Sequence, residues 1–273
     1  MNLKFGRRPA RYTRASMIRS QIVAMNFALL GPPPASSDDY VSAVDAVTGG
    51  DWGIDCNDVC GCCTISDCAH QVMLRTANAS KIVIPTPSQV LAMYSAISGY
   101  DPSQTDSQGN NPTDTGCDEL TVEAWMQKTG LDGHKTDAYA NLNPTNLSNL
   151  KWTVQLYGCS RLGIACTDSM IDQFNNGQPW EPVAGAQVEG GHDVPLVRYI
   201  TDGGSTMYFI VSWGKLQPVT ESWLTWVLED GTPVVEEAHI ELASDFIRAT
   251  GVSPSGFDHD QLVAEITNLA EAA

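Results

Sequence analysis

The chain lacks any apolar run approaching the ~20 residues that a membrane helix needs. It also lacks a glycine-rich phosphate loop, a dinucleotide fingerprint and any internal repeat, so nucleotide-dependent chemistry and solenoid architectures find no support. Positive charge is scarce: 15 Lys and Arg stand against 32 Asp and Glu, a net charge of −17 over 273 residues. The scarcity is uneven. Residues 1–37 contain no acid but carry Lys4, Arg7, Arg8, Arg11, Arg14 and Arg19, so the remainder holds six more negative charges than the whole, −23. A body that acidic repels phosphate backbones and is not expected to bind nucleic acid directly. The basic stretch reads either as a solvated tail or as an arm that docks on an acidic surface, such as an acidic neighbouring protein. A secretion signal is not expected either. The short apolar stretch Ile22 to Leu30 is broken by Asn26 and runs into Pro32-Pro33-Pro34, with no small-x-small cleavage site after it.

What is present supports a folded body. Hydrophobic residues make up 42 %, enough for a sizeable core. Of eight cysteines, five fall between Cys56 and Cys68. A disulfide scaffold would spread them along a short chain, whereas clustering suggests chemistry, metal or a local redox pair. Cys56, Cys60, Cys62, Cys63 and Cys68 with His70 offer enough ligands for zinc. They lack the paired Cys-x-x-Cys knuckles of structural sites, so no metal and no cofactor is expected.

The chain divides into a basic arm and linker, 1–37, and one folded domain, 38–273. Gly49 to Gly61 reads as loop, and from Cys63 apolar residues recur at helical steps through Ala69, Val72 and Met73. Thr86, Pro87 and Gln89 predict a capped helix start and Gly99 its stop, with Leu91, Tyr94 and Ile97 inward. Asp101 to Gly116 reads as an exposed loop, Asp118 to Thr129 as a helix ended by Gly130. Another helix is expected after Pro144, and a short strand over Arg161 to Cys166. In the second half, Asp193 to Ile200 and Met207 to Trp213 predict a hairpin through Asp202-Gly203-Gly204. A short helix carrying Trp223, Trp226 and Val227, a strand over Ala238 to Leu242, and a terminal amphipathic helix over Asp258 to Ala270 complete the chain. Helices first and strands later predict an α+β fold with segregated halves.

A thiol nucleophile acts as thiolate, and the first turn of a helix stabilises that anion. Cys63 stands where loop gives way to helix, and a turn with Gly61 before it lets the backbone approach a substrate closely. A base must then come within hydrogen-bond reach. His192, in Glu189-Gly190-Gly191-His192-Asp193, opens a strand after a glycine turn and is the histidine most suited. On spacing alone, Cys63 also reads as an inert buried thiol and His192 as a strand-end histidine. His70 reads as a helix-face residue.

Cys56-Asn57-Asp58-Val59-Cys60-Gly61-Cys62-Cys63-Thr64 with Ala69-His70 resembles the nucleophile segment of papain-like cysteine peptidases, and more closely a bacterial and phage peptidase-like branch. The likeness continues through Val90 to Pro102, Asp118-Glu119-Leu120, Gly190-Gly191-His192, Ser212-Trp213-Gly214-Lys215-Leu216-Gln217-Pro218 and Ser253-Pro254-Ser255-Gly256-Phe257-Asp258. The resemblance, which covers nearly the whole chain after the arm, implies a papain-like fold, helical half followed by antiparallel β half; ahead of it the basic stretch is expected as an extended N-terminal arm. It implies Cys63 as nucleophile, His192 as general base, Asn57 as oxyanion donor and Trp213 as shield of the histidine's partner. Two positions depart from the pattern. Val211 stands where papain has the asparagine that orients the histidine, leaving Asp193 as a sequence-adjacent substitute. Cys62 replaces an aspartate usual in the branch.

Two functions follow as expectations. One is a thiol peptidase or amidase acting on a peptide or amide substrate, either weak or inactive through the missing asparagine. The other is a non-enzymatic virion protein, a capsid accessory or decoration subunit, held to its assembly partner through residues 1–31. The expected location is cytoplasm or virion.

Overall fold

A computed structural model describes residues 3–9, 30–256 and 258–263. The first half is helical: α1 (Val41–Thr48), α2 (Cys63–Ala79), α3 (Pro87–Ser98) and α4 (Glu119–Lys128). The second half supplies β1 (Ala138–Leu142), β2 (Ser160–Thr167), β3 (Val188–Asp202), β4 (Ser205–Ser212), β5 (Lys215–Thr220) and β6 (Val235–Leu242). Three helices lie among these strands: α5 (Leu147–Tyr157), α6 (Asp168–Asn175) and α7 (Glu221–Leu224). The strands form one antiparallel sheet in the order β1-β6-β2-β3-β4-β5.

Local chemistry explains the helix ends. The Thr86 hydroxyl accepts from the Gln89 N–H while the Gln89 side chain accepts from the Thr86 N–H, and Gly99 ends α3 in the left-handed region at φ 79°. Asp118 caps α4 by accepting from the Thr121 N–H. Tyr94 is buried and Leu91 and Ile97 pack partly buried against the helical core. The predicted hairpin forms through Gly203 and Gly204. The short helix is shorter than its tryptophans suggested: α7 stops at Leu224, and Trp226 follows in a turn with its N–H on the Trp223 carbonyl. Of the predicted terminal helix only the part to Val263 is described, with Leu262 buried; Ile266 and Leu269 lie outside the described residues.

The two sheet faces differ in character. One packs Leu162, Ile164, Ala238, Ile240 and Leu242 into the main apolar core with α5, α6 and the tryptophans Trp180 and Trp223. The other meets α2 and α4 across a buried polar layer. Arg161 on β2 ion-pairs there with Asp67 of α2 at 3.1 Å, Asp193 of β3 at 2.7 Å and Glu241 of β6 at 2.8 Å. The cleft between the halves opens at the ends of this layer.

Residues 3–9 lie in that cleft. The Lys4 N–H donates to the Asn57 carbonyl at 3.0 Å, the Cys117 N–H to the Gly6 carbonyl at 2.8 Å, the Arg8 N–H to the Cys117 carbonyl at 2.8 Å, and the Arg7 N–H to the Gly191 carbonyl at 3.1 Å. The segment thus touches the helical half on one side and the sheet on the other. Further along, Ala35 and Ser37 in the predicted linker exchange backbone hydrogen bonds with Tyr199 and Thr201 of β3.

Candidate active site

Cys63 is the first residue of α2, and His192 sits on β3. With Asn57, Val211 and Ser212 they line one small cavity, in which about 10 Å³ is free. The two side chains border the same cavity, but no hydrogen bond joins them: His192 Nδ1 has no partner and Nε2 meets Ser212. The activation expected of the helix start does not hold. Burial, and then the Asp193 charge, push the Cys63 thiol up to about 12, outweighing backbone hydrogen bonds from Gly6 and Asp193 and the Arg7 charge. His192 is pulled down to about 3, first by burial and then by the charges of His70 and Arg7. With the cleft filled, both groups are neutral.

The residue that meets His192 where an asparagine was missing is Ser212, one position on from Val211. Its Oγ lies 3.0 Å from His192 Nε2, while the buried Nδ1 has no hydrogen-bond partner. Asp193, the sequence-adjacent candidate, turns its carboxylate to Arg161 at 2.7 Å instead. Trp213 stacks directly on the imidazole, with ring centroids 4.6 Å apart and planes 15° apart. Phe5 meets both rings edge-on, at 6.3 Å from His192 and 6.2 Å from Trp213. Trp213 takes up φ 44°, a left-handed conformation that a bulky residue rarely adopts, so local packing must hold it there.

Asn57 is buried, and its Nδ2 donates to the Lys4 carbonyl at 3.2 Å and to the Cys60 carbonyl at 3.3 Å. The donor assigned to an oxyanion thus faces a peptide carbonyl of the arm. A Cβ on Gly61 would sit 2.7 Å from the Phe5 carbonyl oxygen, and one on Gly6 would sit 1.6 Å from the Gly61 oxygen. Backbone meets backbone here, which only glycine allows. His70, expected only as a helix-face residue, is buried and lines the same cavity as Cys63 and His192; its Nε2 lies 2.9 Å from the Gly53 carbonyl and 3.4 Å from the Asp55 carboxylate.

The eight cysteines are all free thiols. The Cys56 to Cys68 series with His70 does not assemble into a ligand set. Among the described residues, the group with metal-ligand spacing is Glu119, Glu237 and His239, and the Arg7 guanidinium occupies its edge, with Nε 2.8 Å from Glu119 Oε1. That acidic pocket was not anticipated. Its signal lay in the alternation Glu237, His239, Glu241 on β6, which on an ordinary strand marks a solvent face.

No protein-family model matches the sequence, and no curated protein matches it. Solved structures do. Xylellain, a cysteine protease from Xylella fastidiosa, superposes with a TM-score of 0.58 at 13% identity, covering 88% of this chain and 96% of its own. Digestive procathepsin L 3 of Tenebrio molitor gives 0.54 at 13% identity, covering 88% and 76%. Procathepsin B from Trypanosoma congolense gives 0.50 at 9% identity, covering 88% and 86%. The fold is that of the papain-like cysteine peptidases, α+β, as the sequence motifs implied.

Proposed function

We propose that the chain is a papain-like thiol peptidase or amidase whose cleft is closed by its own residues 3–9. The observation that carries this reading is the seating of Lys4 to Arg8 across the pair, with Gly6 against Cys63, Phe5 against His192 and a peptide carbonyl on Asn57. Once the segment leaves, water reaches the thiol, and the burial that does most to keep it protonated is relieved. The start of α2 then favours the thiolate. Cys63 Sγ attacks the carbonyl carbon of a peptide or amide, and its proton passes to His192 Nδ1, the nitrogen that Ser212 leaves unpartnered. The Asn57 amide stabilises the oxyanion. The imidazolium then protonates the leaving amine, and water hydrolyses the thioester.

A second reading is favoured by one observation, the neutral state of both groups in the closed cleft. In it the same fold serves as a scaffold without turnover, for instance in a virion, with the basic residues 1–31 docking on an assembly partner.

Labelling of Cys63 by a peptidyl electrophile separates the two. Full-length protein should react slowly and Arg7→Ala at least about tenfold faster, with the gain lost in His192→Ala and reduced in Ser212→Ala. Labelling that ignores His192 and tracks exposure alone would sink the peptidase reading.

A further inference from the structure

Arg7 is the most deeply enclosed residue of the segment in the cleft, and its side chain is 1% exposed. Its Nε donates to Glu119 at 2.8 Å and to Glu237 at 3.0 Å, one terminal nitrogen to Glu237 at 2.5 Å and the other to Glu236. His239 stands behind them, hydrogen-bonded to Glu123 and 3.5 Å from Glu237. Each nitrogen of the guanidinium therefore meets a carboxyl oxygen.

The pocket is shaped as well as charged. A Cβ on Gly163 of β2 would fall 2.2 Å from Arg7 Nε and 2.0 Å from Glu119 Oε1. A Cβ on Gly191 would fall 2.3 Å from the Arg7 carbonyl oxygen. The sheet thus leaves out side chains along the path that Arg7 fills. Glu119 Oε2 is buried in the pocket without a hydrogen-bond partner, 3.8 Å from His239 Nδ1. Buried carboxylates this close repel one another and are costly unless a cation with matching geometry joins them. With Arg7 gone, the carboxyl groups of Glu119, Glu123, Glu236 and Glu237 would lose the cation that joins them, Glu119 holding a proton up to about pH 8.

We infer that this pocket is a guanidinium-selective subsite, and that the peptides the cleft takes carry an arginine directly adjacent to the residue facing Cys63. Arg7 occupies it as the chain's own stand-in for such a peptide. A lysine brings the charge but not the planar fork of donors, so it fits less well. The inference rests on the reading of the cleft as a peptide-binding groove, but binding at the pocket requires no chemistry at Cys63.

The test uses the full-length chain with Arg7→Ala, titrated with the capped peptide acetyl-Phe-Gly-Arg-amide while thermal unfolding and Cys63 alkylation are followed. The peptide should raise the unfolding midpoint by about 3–5 °C at saturation and protect Cys63. Replacing its arginine by norleucine should weaken binding at least about tenfold, with lysine between the two. Adding Glu237→Gln should erase the preference. Equal binding of the arginine and norleucine peptides, or a preference that survives Glu237→Gln, overturns the inference. Repeating the titration in Cys63→Ser separates it from the peptidase reading. An inert Cys63 with arginine-selective binding leaves this inference standing alone, and a reactive Cys63 without selectivity removes it alone. Should Arg7→Ala fail to fold, Gly6→Ala displaces the segment while leaving every pocket residue in place, and the same outcomes apply.

Discussion

His192 shows how far burial can overrule residue identity. An unfolded histidine takes its proton near pH 6.5, whereas the buried ring resists to about 3. Between those values the unfolded chain binds the extra proton, so this residue costs stability progressively as pH falls from 6.5 toward 3. Glu119 has the opposite sign. Burial, then the charge of Glu237, push it from 4.5 up to about 8, so the folded state holds the extra proton in that range and gains stability as pH falls through it. The two partly cancel in the native protein, and a substitution separates them. His192→Gln should gain on the native chain by up to about 1.4 kcal/mol per pH unit below pH 6.5. Urea unfolding at about pH 7, 6 and 5 measures it; a difference that stays constant with pH would contradict the burial account. At this scale the placement of Cys63, His192 and Asn57 around one cavity was legible because their residue types and order match a known pattern. Ser212 was not, since a serine beside a tryptophan signals nothing until its hydroxyl is seen at Nε2.

Elements with chemical punctuation at their ends were readable, and those defined by docking were not. The α3 helix carries Thr86, Pro87, Gln89 and Gly99, and it forms between them. Removing the cap hydroxyl in Thr86→Ala should cost about 1 kcal/mol without changing the helix bounds, measured by denaturant midpoint at constant slope. By contrast α1, α6 and β1 are only 8, 8 and 5 residues long, too short for periodicity to mark them. The arm was readable as basic. Where it lies was not, because its binding site combines α4, β2, β3 and β6 from distant parts of the chain.

At the scale of the molecule, the polar layer joins the two halves. Arg161 reaches α2, β3 and β6 at once, and it also donates to the Thr64 carbonyl at 3.3 Å and the Cys68 sulfur at 3.0 Å. Arg161→Ala would strand Asp67, Asp193 and Glu241 without water. A loss of about 3–5 kcal/mol is expected. Equilibrium urea unfolding measures it, and a loss below about 1 kcal/mol would mean that the layer is hydrated or rearranges freely.

The residue order alone determined the helical half, the β half and the unequal charge, because periodicity, caps and composition are local properties of the chain. Only the tertiary structure decided that the thiol is held neutral, that Ser212 meets the histidine, and that Arg7 closes the cleft. The first and third depend on desolvation or on carboxylates gathered from separate elements, and neither exists until the halves meet; the second depends on the register that sets β4 beside β3.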